Sequence, residues 1–573
     1  MNEILSRFCP RIEFDSYEDF FENYQCITPH NFNFAYDVVD EWARIQPQKT
    51  ALVWTNDAGE IKTFTFADVK RQSDKAANAL LSMGIRKGDA VLLILKQRPE
   101  VWTMMIALEK IGAICIPGSF QLTKKDLIYR LHIADVKLLV AVSDDEALLT
   151  NIKAAREENR MLEHIALVGE RVPNRFLDMK KLIAEASDEF FRPSRDADTF
   201  IHESMLVYFS SGTSGMPKMV LHNHTLPLGH IVTAKYWQCV EDDQIHLTQT
   251  DSGWAKFAWG KIYGQWICGA AVGVYDTEKF TPKGMLSALV RLKPRTFCAP
   301  ATIFRYLIKE DLSAIDLSFI KRTSVAGEPL SPEVFHQFKR KTGLEIREGF
   351  GQSEGSVLAA SFKWLPPKPG SMGKPSPLYG IDLLDEDCQP VDDGAVGVIS
   401  VTQAGYNVYD VPQSSDILPF QNSPVGLFRG YWKDEDVTCA CWQDGIYQTG
   451  DMAWRDGEGC LWFVGRNDDV IKCSGYRIGP FEVESALMEH PAVLECAVTA
   501  APDPTRGQIV KATIVLAQGF TPSDQLKREL QNHVKRGTAP YKYPRIVEFV
   551  SELPKTVSGK IQRSVIRKRD AKK

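Results

Sequence analysis

Apolar and polar positions follow two different periods along the first two hundred residues. Over 69–83 and 101–111 the apolar residues recur every three or four positions, which predicts helices with one buried face. Between and after them lie short continuous apolar runs at 90–95, 113–116 and 136–142, which predict buried strands. Strands interleaved with helices predict α/β layers on largely parallel sheets. The alternation returns between Ile245 and about Arg347, and the run 205–209 predicts one more strand. No internal repeat or low-complexity tract is present.

The pattern changes at Arg466-Asn467-Asp468-Asp469, a polar break after a strand predicted over 460–464. Beyond it come a strand at 470–473 and a helix from Pro480, with Phe481, Glu484 and Leu487 at helical spacing. Strands follow at 492–500 and 510–516. The next helix is predicted to start with Thr521 as N-cap, Pro522 at the first helical position and Asp524 at the third. Leu526, Leu530 and Val534 recur along it, and Gly537 ends it. Residues 468–573 are therefore expected to form a separate, locally basic α+β domain after a larger one spanning 1–467.

A chain of 573 residues is longer than one ordinary domain, so composition bears on class rather than on fold. With 44% hydrophobic and 25% charged residues, disorder is excluded as the main state. Lys+Arg of 68 against Asp+Glu of 73 gives −5, which argues against a general nucleic-acid or anionic-membrane binder. The best apolar run, 101–120, is broken by Glu109 and Lys110 and does not reach the roughly 20 residues that cross a bilayer. Glu3, Glu13, Asp15, Glu18 and Asp19 near the amino terminus are unlike a targeting segment, so a cytoplasmic location is expected. The 12 cysteines include no CxxC pair, and Cys439 and Cys441 are too isolated for zinc. Reduced thiols are expected.

Candidate chemistry begins at Ser210-Ser211-Gly212-Thr213-Ser214-Gly215-Met216-Pro217-Lys218, after the predicted strand. Small residues let backbone N–H groups and hydroxyls approach a polyphosphate, and Lys218 adds a cation. The spacing is not that of a Walker loop, and alone it fits either a phosphate loop or a plain turn. Further on come Glu348-Gly349-Phe350-Gly351-Gln352-Ser353-Glu354, Tyr447-Gln448-Thr449-Gly450-Asp451, and Gly465-Arg466-Asn467-Asp468-Asp469. Lys472-Cys473-Ser474-Gly475-Tyr476-Arg477 and Pro554-Lys555-Thr556-Val557-Ser558-Gly559-Lys560 complete the series. Each alone could be a turn or a solvated charge; together and in this order they are specific.

In this ordered set the chain resembles the adenylate-forming superfamily of acyl-CoA synthetases, luciferases and peptide-synthetase adenylation domains. The resemblance covers nearly all 573 residues. Through Tyr541-Lys542-Tyr543-Pro544-Arg545 and Leu553-Pro554-Lys555-Thr556-Val557-Ser558-Gly559-Lys560-Ile561-Gln562-Arg563 it is most similar to the medium-chain acyl-CoA synthetases. The resemblance implies a large N-terminal domain of two α/β sheet subdomains plus a β-barrel, with a small mobile C-terminal lid. It implies ATP, Mg²⁺ and CoA as cofactor and co-substrates, and the formation of acyl-CoA, AMP and pyrophosphate through an acyl-adenylate. Residues 210–218 would hold the β- and γ-phosphates, with Thr213 and Glu354 on Mg²⁺. Glu348 to Ser353 would line adenine and the α-phosphate, Asp451 and Arg466 the ribose, with Arg477 also on the nucleotide. Lys560 would contact the charge developing during adenylation and leave when the lid turns about Asp468. Gln121, Ser474, Gly475, Tyr476, Arg506, Lys535, Tyr543, Pro544 and Arg545 are the implied CoA contacts.

Gly351 stands where acetate-activating relatives carry a tryptophan, which implies a pocket open to more than an acetyl group. Trp254, Lys256 and Trp259 are the other pocket candidates; an inward Lys256 would disfavour long straight chains. Short-to-medium, branched or aromatic acids are the expected class, with small molecules as the only partners and a homo-oligomer left open. Residues 406–424 fall in a stretch longer than the family pattern. Two other readings are a carrier-protein-loading enzyme, which would exchange pyrophosphate without making a CoA thioester, and a nucleotide-binding regulator, which would do neither.

Overall fold

The computed structural model describes residues 2–158, 162–194, 198–210, 216–404, 424–443, 445–473, 476–503, 506–556 and 560–570. The strand predicted over 90–95 is Ala90–Ile94, buried throughout and paired in parallel with Ile114–Pro117 and Leu138–Val142. A strand covered on both faces by helices reads as continuous apolar sequence, which is why no alternation marks it. His164–Val168 and Leu177–Asp178 extend this sheet on one side, Ser204–Ser210 and Lys218–Asn223 on the other, the last pair antiparallel.

The helix predicted over 69–83 is Phe66–Ser82. It starts earlier than its periodicity because Thr65 caps it: Thr65 Oγ1 accepts the Asp68 N–H at 3.1 Å, and Asp68 accepts the Thr65 N–H at 3.0 Å. It packs on Glu100–Ile111, which ends at Gly112 with a left-handed φ of 68°. Glu109 and Lys110, which break the apolar run in the sequence, lie inside. Lys110 pairs with Asp74 and Asp40, and Glu109 accepts the Tyr263 hydroxyl at 2.9 Å. No helix among the described residues is long and apolar enough to cross a membrane.

A second sheet of 14 described strands has a parallel half and an antiparallel half. The parallel half runs through Thr50–Asn56, Ala271–Asp276, Ile245–Thr248, Thr296–Ala299, Arg322–Val325 and Ile346–Gly351. The strands corresponding to the expected β-barrel continue it: Val357–Ala360, Ser371–Pro375, Leu461–Arg466, Ile446–Arg455, Val396–Ala404 and Tyr379–Leu384, all antiparallel. The long stretch expected at 406–424 lies outside the described residues except for Pro424.

The C-terminal segment builds a third sheet from Ile471–Cys473, Tyr476–Ile478, Val493–Asp503, Gly507–Leu516 and Ile546–Val550. Helices Pro480–Met488 and Asp524–Gly537 cover it, and together they enclose a core of their own, including Ile471, Val483, Leu487, Val498, Leu530 and Val534. The N-cap of the second helix is Ser523 rather than Thr521. Its extended backbone lets Ser523 Oγ take the Leu526 N–H at 3.1 Å, while Pro522 falls before the helix instead of opening it.

The acidic amino terminus is folded rather than loose. Glu13 pairs with Lys363 at 2.8 Å, Glu18 with Lys374 at 3.3 Å, and Phe20 is fully buried. All twelve cysteines are unpaired thiols, eight of them buried.

Candidate active site

The carboxyl ends of strands from both large sheets point to one place, where open α/β sheets bind their ligands. After Ile114–Pro117 comes Ser119, and Ser204–Ser210 contributes its last residue. Thr296–Ala299 leads to Pro300, Arg322–Val325 to Ala326-Gly327-Glu328, and Ile346–Gly351 to Gln352 and Ser353. These ends enclose a cavity of about 200 Å³, closed further by Trp254, Lys256 and Trp259 and by Lys560 from the C-terminal segment. A wider groove of about 810 Å³ lies on the C-terminal sheet, but its charges already answer one another: Lys511 pairs with Glu548 and Asp570, and Lys527 with Asp524.

The cavity is positive. Arg130, Lys256 and Lys560 line it, and none of them pairs with a carboxylate among the described residues. Lys256 Nζ donates to the Ala326 carbonyl and lies 5.6 Å from the centre of the Trp259 ring; burial lowers its pKa. Arg130 stacks on Phe209 at 4.6 Å with its Nε buried and unpartnered, and burial lowers its pKa to about 10. Glu328, the one acid on the wall among the described residues, accepts from the Thr302 backbone at 3.1 Å and hydroxyl at 2.7 Å. Lys560 adjoins Ile561, which bridges to Lys555, and its carbonyl accepts the Thr556 N–H at 2.8 Å.

The predicted motifs converge here in part. Gly349, Phe350, Gly351, Gln352 and Ser353 line the cavity. Gln352 joins two motifs: its Oε1 accepts the Tyr447 hydroxyl at 2.8 Å, and its Nε2 donates to Asp451 and to the Thr449 carbonyl. Asp451 is buried, which raises its pKa, against the pull of Arg466 at 3.6 Å. Arg466 Nε is in turn 3.8 Å from Asp468. Glu354 accepts the Tyr431 hydroxyl at 2.9 Å, and Lys218 Nζ lies 4.7 Å from the centre of the same ring. Pro217 takes the Tyr129 hydroxyl on its carbonyl at 2.9 Å, while the Met216 side chain is exposed.

Glu348 lies on the strand Ile346–Gly351, but its side chain is buried and does not line the cavity. Its Oε2 has no partner, and burial pushes its carboxyl up to about 8.

On the C-terminal segment, Lys535, Tyr543 and Arg545 come together. Lys535 Nζ lies 4.0 Å from the centre of the Tyr543 ring, and Arg545 donates to the Tyr543 hydroxyl at 2.8 Å. That hydrogen bond, with the charges of Arg545, Lys535 and Arg506, lowers the Tyr543 pKa. Pro544 accepts from Gln531 at 3.0 Å. Gln121 is exposed in the turn after Ser119, and among the described residues no contact joins it to this cluster. Ser211, Gly212, Thr213, Ser214, Gly215, Ser474 and Gly475 lie outside the described residues, as do the side chains of Tyr476 and Arg477.

Comparison with known proteins fits this geometry. The model for AMP-binding enzymes matches residues 39–408, and that for the AMP-binding enzyme C-terminal domain matches 482–560. The chain belongs to the AMP-binding enzyme family. Within it, the chain is 38% identical over 566 residues to mouse (Mus musculus) acyl-coenzyme A synthetase ACSM3, mitochondrial, covering 97% of this chain and 94% of that one. It is 40% identical over 553 residues to human (Homo sapiens) acyl-coenzyme A synthetase ACSM5, mitochondrial, covering 95% and 91%. Among solved structures, the anthranilate CoA ligase AuaEII with anthranoyl-AMP superposes with a TM-score of 0.83 at 27% identity, covering 95% of this chain and 98% of that one. The acyl-CoA synthetase of Brucella canis gives 0.71 at 30% identity, covering 98% and 99%. The resemblance to the adenylate-forming acyl-CoA synthetases therefore holds over nearly the whole chain.

The names of these relatives overturn the cytoplasmic location and point to the mitochondrion. The acids counted against a targeting segment carry no such information, because Glu13 and Glu18 belong to packed ion pairs.

Several residues of this AMP-binding enzyme escaped the sequence reading. Trp237 packs so closely on Gly349 that a Cβ there would come 2.5 Å from its ring, and it tilts against Trp259 at 5.6 Å. Gly351 has a second role beyond leaving room, since a Cβ there would meet the Ser356 carbonyl at 2.8 Å. Arg130 and Tyr431 had only their residue types to mark them.

The buried Glu348 carboxyl, with one oxygen unpartnered, makes a pH prediction. Its folded pKa of about 8 lies above the ordinary 4.5, so between those values the folded protein holds a proton that the unfolded chain releases. Stability contributed by the neutral carboxyl is complete below pH 4.5 and is lost as pH rises through 8. Glu348→Gln keeps a neutral side chain throughout. Its thermal midpoint should fall less than the wild type's between pH 5 and 8.5, measured by differential scanning fluorimetry; parallel curves would refute the assignment.

Proposed function

We infer that this chain is an AMP-forming acid–CoA ligase that activates a short-to-medium, branched or aromatic carboxylic acid. The observation that carries this reading is the cluster of cations without carboxylate partners around one cavity. A carboxylate is a poor electrophile; attack of its oxygen on the α-phosphorus of ATP gives an acyl-adenylate and expels pyrophosphate. That step brings anions together, so cations fixed in a desolvated site lower its barrier by charge stabilisation and by positioning. The CoA thiolate then attacks the acyl carbon, and AMP leaves with the carbon–oxygen bond electrons.

Residues 210–218 are assigned to the β- and γ-phosphates and Gly349 to Ser353 to adenine and the α-phosphate. Glu348 precedes them, on the strand Ile346–Gly351, with its side chain buried. Asp451 and Arg466 are assigned to the ribose hydroxyls, which suits a buried carboxylate held by Gln352. Among the described residues no group of three or more His, Cys, Asp or Glu forms a self-sufficient metal cage. Glu354, with Thr213 and the nucleotide's own oxygens, would share Mg²⁺, which usually takes few carboxylates beside substrate phosphates. Mg²⁺ supplies neutralisation of phosphate charge when bound. Lys560 lines the cavity and is assigned to the charge that develops on adenylation.

The lid is taken as 468–573, with Asp468 as its hinge. Two features support a lid with two working faces. Lys560 lines the cavity, whereas Lys535, Tyr543 and Arg545 do not. A rotation that withdraws the first and presents the second would let one cleft run both half-reactions. The basic cluster suits the phosphates of CoA, together with Arg506 and the loop at 474–476. Lys256, buried at the cavity wall, sets the acid class by capping the space left by Gly351; the likeness to an anthranilate CoA ligase supports an aromatic acid within that class.

Incubation with ATP, Mg²⁺, CoA and a panel of carboxylic acids should yield AMP and a CoA thioester detected by mass; absence of AMP with every acid would refute the reading. Pyrophosphate exchange without thioester would point instead to a carrier-loading enzyme. Lys560→Ala should lower acid-dependent pyrophosphate exchange about 100-fold or more, while thioester formation from supplied acyl-AMP falls far less. Equal losses would overturn the role of Lys560. Lys256→Leu should shift the preferred acids toward longer chains, read from kcat/KM across a homologous series; an unchanged profile would exclude Lys256 as the cap.

A further inference from the structure

Tyr431 belongs to none of the motifs assigned above, yet it touches two residues that carry opposite charge at the nucleotide site. Its backbone is fastened to the strand Lys218–Asn223. Arg429 N–H donates to the Leu221 carbonyl at 2.7 Å, Leu221 N–H to the Gly430 carbonyl at 3.1 Å, and Trp432 N–H to the Met219 carbonyl at 2.7 Å. Its own N–H donates to Thr438 Oγ1 at 2.8 Å. Thr438 also crowds Gly430, whose φ of 110° and close approach leave no room for a Cβ. Backbone and ring are thus fixed before any ligand arrives.

The side chain is used at both ends. The hydroxyl donates to Glu354 Oε1 at 2.9 Å, and the ring face receives Lys218 Nζ at 4.7 Å from its centre. Lys218 and Glu354 make no ion pair with each other or with any other described residue. Two opposite charges sharing one tyrosine would be expected to collapse together, since a lysine stem is long and flexible. The ring face offers the ammonium a cation–π surface, while the hydroxyl at the ring's edge engages the carboxylate.

We propose that Tyr431 is a positioning residue that keeps Lys218 and Glu354 apart, so that the lysine is left for a nucleotide phosphate and the second carboxylate oxygen for the divalent cation. The inference rests on the nucleotide assignments of the proposed function. Self-neutralisation of this pair would disable both partners at once, and the hydroxyl additionally fixes which carboxylate oxygen remains free.

The test is ATP binding by the full chain, measured calorimetrically without acid so that no turnover occurs, over a range of Mg²⁺ concentrations. Tyr431→Phe keeps the ring and loses the hydroxyl. It should raise the Mg²⁺ concentration for half-maximal ATP binding about tenfold, the worth of one hydrogen bond to a charged group, and leave ATP affinity at saturating Mg²⁺ within about twofold. Tyr431→Leu removes the spacer and should also weaken Mg²⁺-free ATP binding about tenfold. Adding Glu354→Gln to Tyr431→Leu should restore that Mg²⁺-free affinity, because the lysine then has no carboxylate to fall onto; a residue that merely supports the fold would show no such rescue. An unchanged Mg²⁺ dependence in Tyr431→Phe, or a double variant no tighter than Tyr431→Leu, overturns the proposal. If Tyr431→Leu fails to fold, Tyr431→Phe decides alone. Wild type that binds no ATP would overturn the proposed function as well, whereas wild-type binding with an unchanged Tyr431→Phe overturns only the role of Tyr431.

Discussion

Positive charge held out of water without a carboxylate partner is the constraint around which this molecule is arranged. A lone buried cation is costly, and the usual remedy is an ion pair. Lys110 takes that remedy in the helical layer, where it pairs with Asp74 and Asp40. The buried cavity cations are held by weaker means, a carbonyl for Lys256 and a phenyl face for Arg130, while Lys560, on the same wall, is exposed. Such contacts hold a group in place while leaving its charge available. They work only on a stiff frame, which the converging strand ends of two sheets provide. The opposite arrangement on the C-terminal groove, where Lys511 sits between two acids, shows what a neutralised cluster looks like in the same chain.

How much of this was written locally can be judged element by element. Ala90–Ile94 and Phe66–Ser82 follow from runs and periods within a few residues, and the polar break near Asp468 separates segments with different cores. The motif residues were legible because glycine and hydroxyl residues cluster around phosphate-like sites for steric reasons. What remained hidden depends on partners far away in sequence. Trp237 meets Gly349, and Tyr431 meets Glu354, and neither pair has a local signature. Glu348 is the converse case: a charged residue inside a motif suggests a side chain on the cavity wall, whereas this one is buried, a placement that its residue type does not announce. Ser523 replaced Thr521 as a cap because the choice between neighbouring hydroxyl residues is made by backbone dihedrals, which composition does not encode.

The helix that follows Lys560 is tied back to the polar break and to the helix Pro480–Met488. Arg563, three residues after Lys560, donates to both oxygens of Glu484 at 2.7 Å, and its guanidinium lies 3.7 Å from Asp469. Arg567 on the same helix reaches Asp469 as well. Asp469, at the polar break, and the helix Arg563–Asp570 therefore share one ion-pair network with Glu484.

The contact between Trp237 and Gly349 has an evolutionary corollary. A methyl group at 349 cannot be accommodated while the indole stands at 237, because the ring occupies the space it would need. A smaller residue at 237 removes that obstacle without any change at 349. The two sites can thus diverge in only one order, and lineages descended from this sequence would reach new cavity shapes by shrinking the aromatic first.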